Sequence, residues 1–238
     1  MALVAVVFLS LPPRPTADTT TAAHSPTPPL PVIIMPEYKL TYFNGRGMGE
    51  LIRWIFLYGK IPFTQERVEL SEWPERKKAT LGGKLPTLEV DGELLLQSSA
   101  IGRYLATKAG LVPQCSWRAA QCDALVDTFK DVLFALFDIV SPEDQTEEEK
   151  QKKLREEYLP QTLGPLMERL EQQLQGKEWF VEDKMTWADL AIGRAMEEVF
   201  QPLPDLRQKF PRINAQAEKI YQLPRIKEHR KTRPVTSF

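Results

Sequence analysis

The stretch Tyr38–Arg53, YKLTYFNGRGMGELIR, restricts the fold of this chain more than any other. Leu40 and Tyr42 alternate with Thr41 and Phe43, the spacing of a half-buried strand. Asn44-Gly45-Arg46-Gly47 breaks that strand with turn chemistry. Met48, Leu51, Ile52, Ile55 and Phe56 then recur at helical spacing. Tyr42 is thereby placed at the carboxyl end of a first strand, beside the N-terminus of a helix. In an open α/β sheet, ligands bind at the carboxyl ends of strands. A helix N-terminus favours an anion there. A phenol O–H at that position can donate to a thiolate, a carboxylate or a phosphate.

From Pro36 to about Leu111 the pattern continues as βαβαββα. Phe63–Val68 reads as a second strand and Trp73–Thr80 as a short helix begun by Ser71 or Pro74. Leu81-Gly82-Gly83-Lys84 is a loop. Thr87–Val90 and Glu93–Leu96 are strands joined by Asp91-Gly92, a strong hairpin signal. Ser98 is expected to cap a helix that runs through Ile101, Tyr104 and Leu105 and ends near Gly110.

No strand signal survives from Ser116 onward. Leu125, Val126, Phe129, Val132, Leu133, Leu136, Phe137 and Val140 form one apolar stripe at helical spacing. Leu154, Tyr158, Leu163, Leu166, Met167, Leu170 and Leu174 mark a second helix, with a bend expected at Pro165. Thr186-Trp187-Ala188-Asp189 is a capping box with Asp in place of Glu. Phe210–Tyr221 and Pro224–Arg230 read as shorter helices. The boundary between the α/β half and the helical half falls near Gly110 and Pro113, dividing the chain at 35–112 and 113–238.

The segment 1–34 differs in kind. It carries only Arg14 and Asp18 as full charges, and Ala17–Pro31 is Thr, Ala, Ser and Pro. Such a composition buries too little apolar surface to order itself. The expectation is an unstructured extension, with Met35 as the functional beginning. Met1–Leu11 resembles a signal-peptide core, but no basic residue precedes it.

Net charge is −1, which does not point to nucleic acid or an acidic membrane surface. No apolar run approaches the roughly 20 residues of a membrane span. Cys115 and Cys122 make no disulfide framework and share no ligand spacing with the two histidines, so a reducing, cytoplasmic setting is expected.

Several short motifs in order carry a resemblance: Tyr38 through Asn44, Arg46-Gly47, Trp73-Pro74-Glu75, Gly83-Lys84-Leu85-Pro86, Leu88 through Gly92, Gln97-Ser98, Arg103-Tyr104-Leu105, Val126-Asp127-Thr128 and Thr186 through Asp189. Together they resemble the glutathione transferases. The details resemble the sigma class, and within it the members that isomerise prostaglandin H2. The resemblance spans Met35 to Phe238. It implies a thioredoxin-like α/β domain followed by an all-α domain, glutathione as co-substrate, and a homodimer.

The resemblance also implies roles. The Tyr42 hydroxyl would donate to the glutathione sulfur and favour the thiolate, because a donor to the charged form lowers a pKa. Leu85-Pro86 would present backbone to the cysteinyl unit, with the proline cis. Gln97 and Ser98 would take the γ-glutamyl end, and Trp73, Lys77 and Lys84 the glycyl end. Asp131 would reach the glutathione amino group of a neighbouring subunit. Phe43, Gly47, Met48, Leu133, Asp138 and Phe238 would line a hydrophobic substrate pocket.

Two positions depart from the prostaglandin-isomerising pattern, which has Arg where this chain has Met48 and Trp where it has Asp138. Both changes favour a thiolate less. Conjugation to hydrophobic electrophiles is therefore the leading reading. Prostaglandin H2 D-isomerisation and a weakly catalytic glutathione-binding structural protein are the alternatives. Asp127, Asp131 and Asp138 fall within about 40° of one another on a helix. Lys130 among them would pair with Asp127 and repel a cation, so no metal site is expected.

Overall fold

The computed structural model describes residues 36–236. The expectations for 1–34 and for Phe238 lie outside that range. Strand β1 (Tyr38–Phe43) buries Tyr38, Leu40 and Tyr42 on one face, as the alternation requires. It is central in a four-stranded sheet of order β2-β1-β3-β4. It runs parallel to β2 (Thr64–Val68) and antiparallel to β3 (Thr87–Val90). The β3–β4 pair (β4, Glu93–Leu96) is antiparallel and turns at Asp91-Gly92, both with positive φ. Parallel pairing of β1 and β2 needs a crossover, and helix α1 (Gly49–Gly59) supplies it. Helices α2 (Trp73–Ala79) and α3 (Ser98–Lys108) complete the βαβαββα order.

The remainder of the described chain is helical. Helix α4 spans Ser116–Val140, and its stripe buries Val126, Phe129, Val132, Leu133 and Leu136. Helix α5 (Glu147–Lys153) starts at a capping box in which Thr146 and Glu149 bond reciprocally. The winding changes at Gly164, one residue before the Pro165 at which a bend is expected. From Leu154 to Leu163 the chain winds in wider π-type turns that contain Pro160, and the Gly164 N–H reaches back to Leu159 O. Pro165 instead sits in the first turn of α6 (Gly164–Gln173), where its missing N–H costs no helical bond.

Helix α7 (Trp187–Val199) is almost wholly buried and begins at the Thr186–Asp189 capping box. Trp187 is fully buried and lies against Gly102 of α3, where an added Cβ would sit 3.1 Å from the indole. The short α8 (Leu206–Lys209), then α9 (Pro211–Tyr221) and α10 (Pro224–Thr232) close the fold. Tyr221 of α9 donates to the Gly193 carbonyl of α7 at 2.9 Å. No described helix is long and apolar enough to cross a membrane.

The C-terminal end is tied to the first helix by buried charge. Glu50, in the first turn of α1, is 1% exposed. Its carboxylate accepts from Arg53 (3.1 Å), Trp54 (3.1 Å) and Arg233 (2.7 Å), and His229 Nε2 lies at 2.9 Å. Arg233 also pairs with Glu197 of α7. Burial alone would raise the Glu50 carboxyl. The His229 hydrogen bond and charge, with the charges of Arg194 and Arg233, outweigh it and hold the group well below the usual carboxylate range.

Removing the Glu50 charge leaves His229 without its carboxylate and Arg53 and Arg233 with only their other partners, Gly45 and Gln65 for the first and Glu197 for the second. Glu50→Gln is expected to lower the unfolding free energy by about 3 kcal/mol or more, measured by denaturant titration. The folded-state pKa of Glu50 lies below its unfolded value. Its contribution is therefore full above the unfolded carboxyl range of roughly 4.3 and is lost as pH falls below it. Glu50→Gln should flatten the acid limb of a plot of stability against pH.

Candidate active site

Tyr42 is the penultimate residue of β1 and is 7% exposed. The turn after the strand brings the N-terminus of α1 across the tyrosine ring. The hydroxyl oxygen accepts the Met48 backbone N–H at 2.9 Å. Two glycines permit that approach. A Cβ on Gly47 would collide with the Tyr42 hydroxyl, and one on Gly49 would lie 2.5 Å from the ring. Gly47 also holds φ at +33°, in the region that L side chains avoid. The Arg53 guanidinium lies 5.9 Å from the ring centroid. Burial pushes the phenol pKa up, while the Met48 N–H and the charges of Arg194 and Arg53 pull it back part of the way.

Arg194 of α7 is absent from the sequence-derived set. It is 1% exposed, and Nη2 donates to the Gly47 carbonyl at 3.2 Å. Its signal in the sequence is a lone Arg in the apolar run Leu190-Ala191-Ile192-Gly193-Arg194-Ala195-Met196. Arg46, the nearest arginine in sequence, turns away to Glu198, with Nη2 at 3.1 Å from Oε2 and Nε at 3.0 Å from Oε1. Arg194 shares that carboxylate at 3.1 Å.

A cleft of about 190 Å³ opens beside this turn. Met48, Lys84, Leu85, Pro86, Gln97 and Ser98 line it, brought together from three segments of the α/β half. Lys130 and Phe134 of α4 form its other wall. The Leu85-Pro86 peptide is cis. Gln97, not Ser98, occupies the cap position of α3, at φ +73° and with no side-chain capping bond. Ser98 is the first helical residue, a correction to the capping role expected from sequence. The cap still leaves donors available. The Ile101 N–H is the first to return to Gln97 O, so the Ser98, Ser99 and Ala100 N–H groups have no helical acceptor.

A smaller cavity of about 40 Å³ lies deeper, between the two halves. Gly47, Met48, Ser98 and Leu133 reach it together with Ser99 and Arg194. Other expected site residues are placed elsewhere. Trp73 is half-buried and edge-on to Phe43, ring centroids 5.1 Å apart, and Phe43 is in turn edge-on to Tyr42. Neither Trp73 nor Phe43 lines the two cavities. Lys77 is exposed on α2 beside Gly83. Asp131 and Asp138 are exposed on α4. Lys130 pairs with Asp127 at 3.1 Å, as their spacing predicts, and Ser99 donates to the same carboxylate at 2.6 Å.

A family model described as the glutathione S-transferase N-terminal domain matches residues 38–107, and one for the glutathione S-transferase C-terminal domain matches 130–233. Hematopoietic prostaglandin D synthase of Homo sapiens is 36% identical over 204 residues, covering 86% of this chain and all of that protein. Probable glutathione S-transferase 5 of Caenorhabditis elegans is 39% identical over 216 residues, with the same coverage. A rat hPGDS structure complexed with a quinoline superposes with a TM-score of 0.76 at 35% identity, over 85% of this chain and all of that one.

The chain belongs to the glutathione S-transferase family.

Glutathione conjugation is the activity of that family, and the α/β-plus-helical architecture of this transferase is the family fold. Its Tyr42 is held by backbone, not by side-chain choice alone. Gly47→Ala must move either the turn or the tyrosine. We expect it to cut turnover by roughly 100-fold, the cost typical of an ångström-scale misplacement. Far-UV circular dichroism should stay unchanged, and steady-state conjugation rates provide the measurement.

Proposed function

We propose that this transferase binds glutathione in the cleft between the Leu85-Pro86 strand start, the Gln97-Ser98 helix start and α4. Tyr42 then holds the sulfur as a thiolate for attack on a hydrophobic electrophile. One observation carries the reading. The Tyr42 oxygen already accepts the Met48 N–H at 2.9 Å, so its own proton is available to a sulfur placed at the mouth of the turn. Donation to the charged form lowers the thiol pKa and raises the fraction of nucleophile. The helix-start N–H groups behind Ser98 suit the γ-glutamyl carboxylate. Lys84 supplies positive charge for the glycyl carboxylate at the other end of the cleft.

In this reading Trp73 and Lys77 flank the glycyl end. Gly47, Met48 and Leu133 meet the electrophile, with Phe43, Asp138 and Phe238 around them. Exposed Asp131 reaches across a homodimer of sigma-class type to the glutathione amino group of the neighbouring subunit. Cys115 and Cys122 are free thiols, in keeping with a reducing cytoplasm.

A second reading, prostaglandin H2 D-isomerisation, is raised by the names of the relatives. Met48 and Asp138 argue against it. They replace a cation and an indole of the isomerising pattern with a neutral thioether and an exposed carboxylate. A chloronitrobenzene substrate should be conjugated. Tyr42→Phe should reduce that turnover by roughly ten-fold or more while the protein is still retained on immobilised glutathione. Unchanged turnover in Tyr42→Phe would remove the tyrosine from the mechanism. Assaying prostaglandin H2 conversion beside conjugation separates the two readings.

A further inference from the structure

Arg194 is buried to 1% exposure within the otherwise apolar run Leu190–Met196 of α7. Its Nε and Nη1 make no hydrogen bond among the described residues. A buried guanidinium with unused donors is costly to keep, and such an unsatisfied group in a native structure calls for an explanation. Its one good hydrogen bond goes from Nη2 to the Gly47 carbonyl, at 3.2 Å. That carbonyl belongs to the same peptide unit as the Met48 N–H, which donates to the Tyr42 oxygen at 2.9 Å. The three groups form a line: guanidinium, peptide, phenol. A cation at the carbonyl end draws electron density along the peptide and strengthens the N–H as a donor, the cooperative effect of chained hydrogen bonds.

We propose that Arg194 is a positioning residue that acts on Tyr42 through the Gly47–Met48 peptide, making the phenol a stronger donor to the glutathione sulfur. This rests on the role proposed for Tyr42.

The surrounding charges are compatible with it. Glu198 faces both Arg194 and Arg46, so two guanidinium groups meet one carboxylate and positive charge remains beside the turn. Arg53, the other cation near Tyr42, is paired with Glu50, which also takes Arg233 and His229. Glu197 is occupied by Arg230 and Arg233. Lys130, on the α4 wall of the same cavity, is held by Asp127. Glu50 and Glu197 also feel the Arg194 charge, but each is already engaged by other cations.

The test is the ionisation of bound glutathione, read from thiolate absorbance in ultraviolet difference spectra across pH and from the pH profile of kcat/KM. Arg194→Met should raise the apparent thiol pKa by about one unit, a ten-fold loss of thiolate below that pKa. Affinity for glutathione should change little. Arg194→Lys should restore part of the shift. Glu198→Gln removes the opposing carboxylate and should move the thiol the other way, which keeps the test decisive should Arg194→Met fold poorly. In a Tyr42→Phe background, Arg194→Met should add almost nothing.

A thiol titration in Arg194→Met or Glu198→Gln that matches the parent overturns the inference, even where thermal stability falls. So does a full Arg194→Met effect that persists without the Tyr42 hydroxyl. An unshifted thiol in Tyr42→Phe itself instead overturns the role of Tyr42.

Discussion

The seating of the Tyr42 ring against the first turn of α1 is the contact on which the rest of the site depends. It requires β1 to end one residue later, at Phe43, and the chain to reverse within Asn44–Gly47. It also requires two positions, Gly47 and Gly49, without side chains where the ring lies. The central place of β1 makes the contact rigid, because hydrogen bonding to β2 on one side and β3 on the other leaves the strand no freedom to shift. A hydroxyl that accepts from backbone is oriented by that bond, and its own proton is left to donate elsewhere.

The helical half holds that turn in place as much as the sheet does. Arg194 of α7 grips the Gly47 carbonyl, and His229 and Arg233 at the C-terminal end grip Glu50 one turn further along α1. These are buried charge contacts between distant segments, of the kind that contribute specificity of arrangement more than net stability. Stability and the geometry of the site are thus linked here. A lesion in the Glu50 cluster loosens the same helix start that orients the phenol.

Much of the fold was legible because its determinants are local. The β1 alternation, the Asp91-Gly92 hairpin, the α4 stripe and the Thr186–Asp189 capping box each depend on residues a few positions apart, where backbone geometry dictates spacing. Where reading failed, the local pattern admitted more than one solution. Ser98 and Gln97 are both plausible at the start of α3, and the left-handed backbone of Gln97 decides the register. Pro160 and Pro165 both lack an amide donor. The chain absorbs the first in π-type turns and uses the second to begin α6.

The site divides the same way. The sequence by itself determined that a tyrosine ends a strand before a helix start, that Leu85-Pro86 and Gln97-Ser98 precede further elements, and that Lys130 would answer Asp127. Only the tertiary structure decided that Arg46 is spent on Glu198 and that Arg194 faces the Gly47–Met48 peptide, across 147 positions of sequence. The physical reason is range. Propensity, periodicity and capping act within a turn or two of chain. The field at the Tyr42 oxygen is set by whichever charges the packed core brings within a few ångströms, and no local pattern records that.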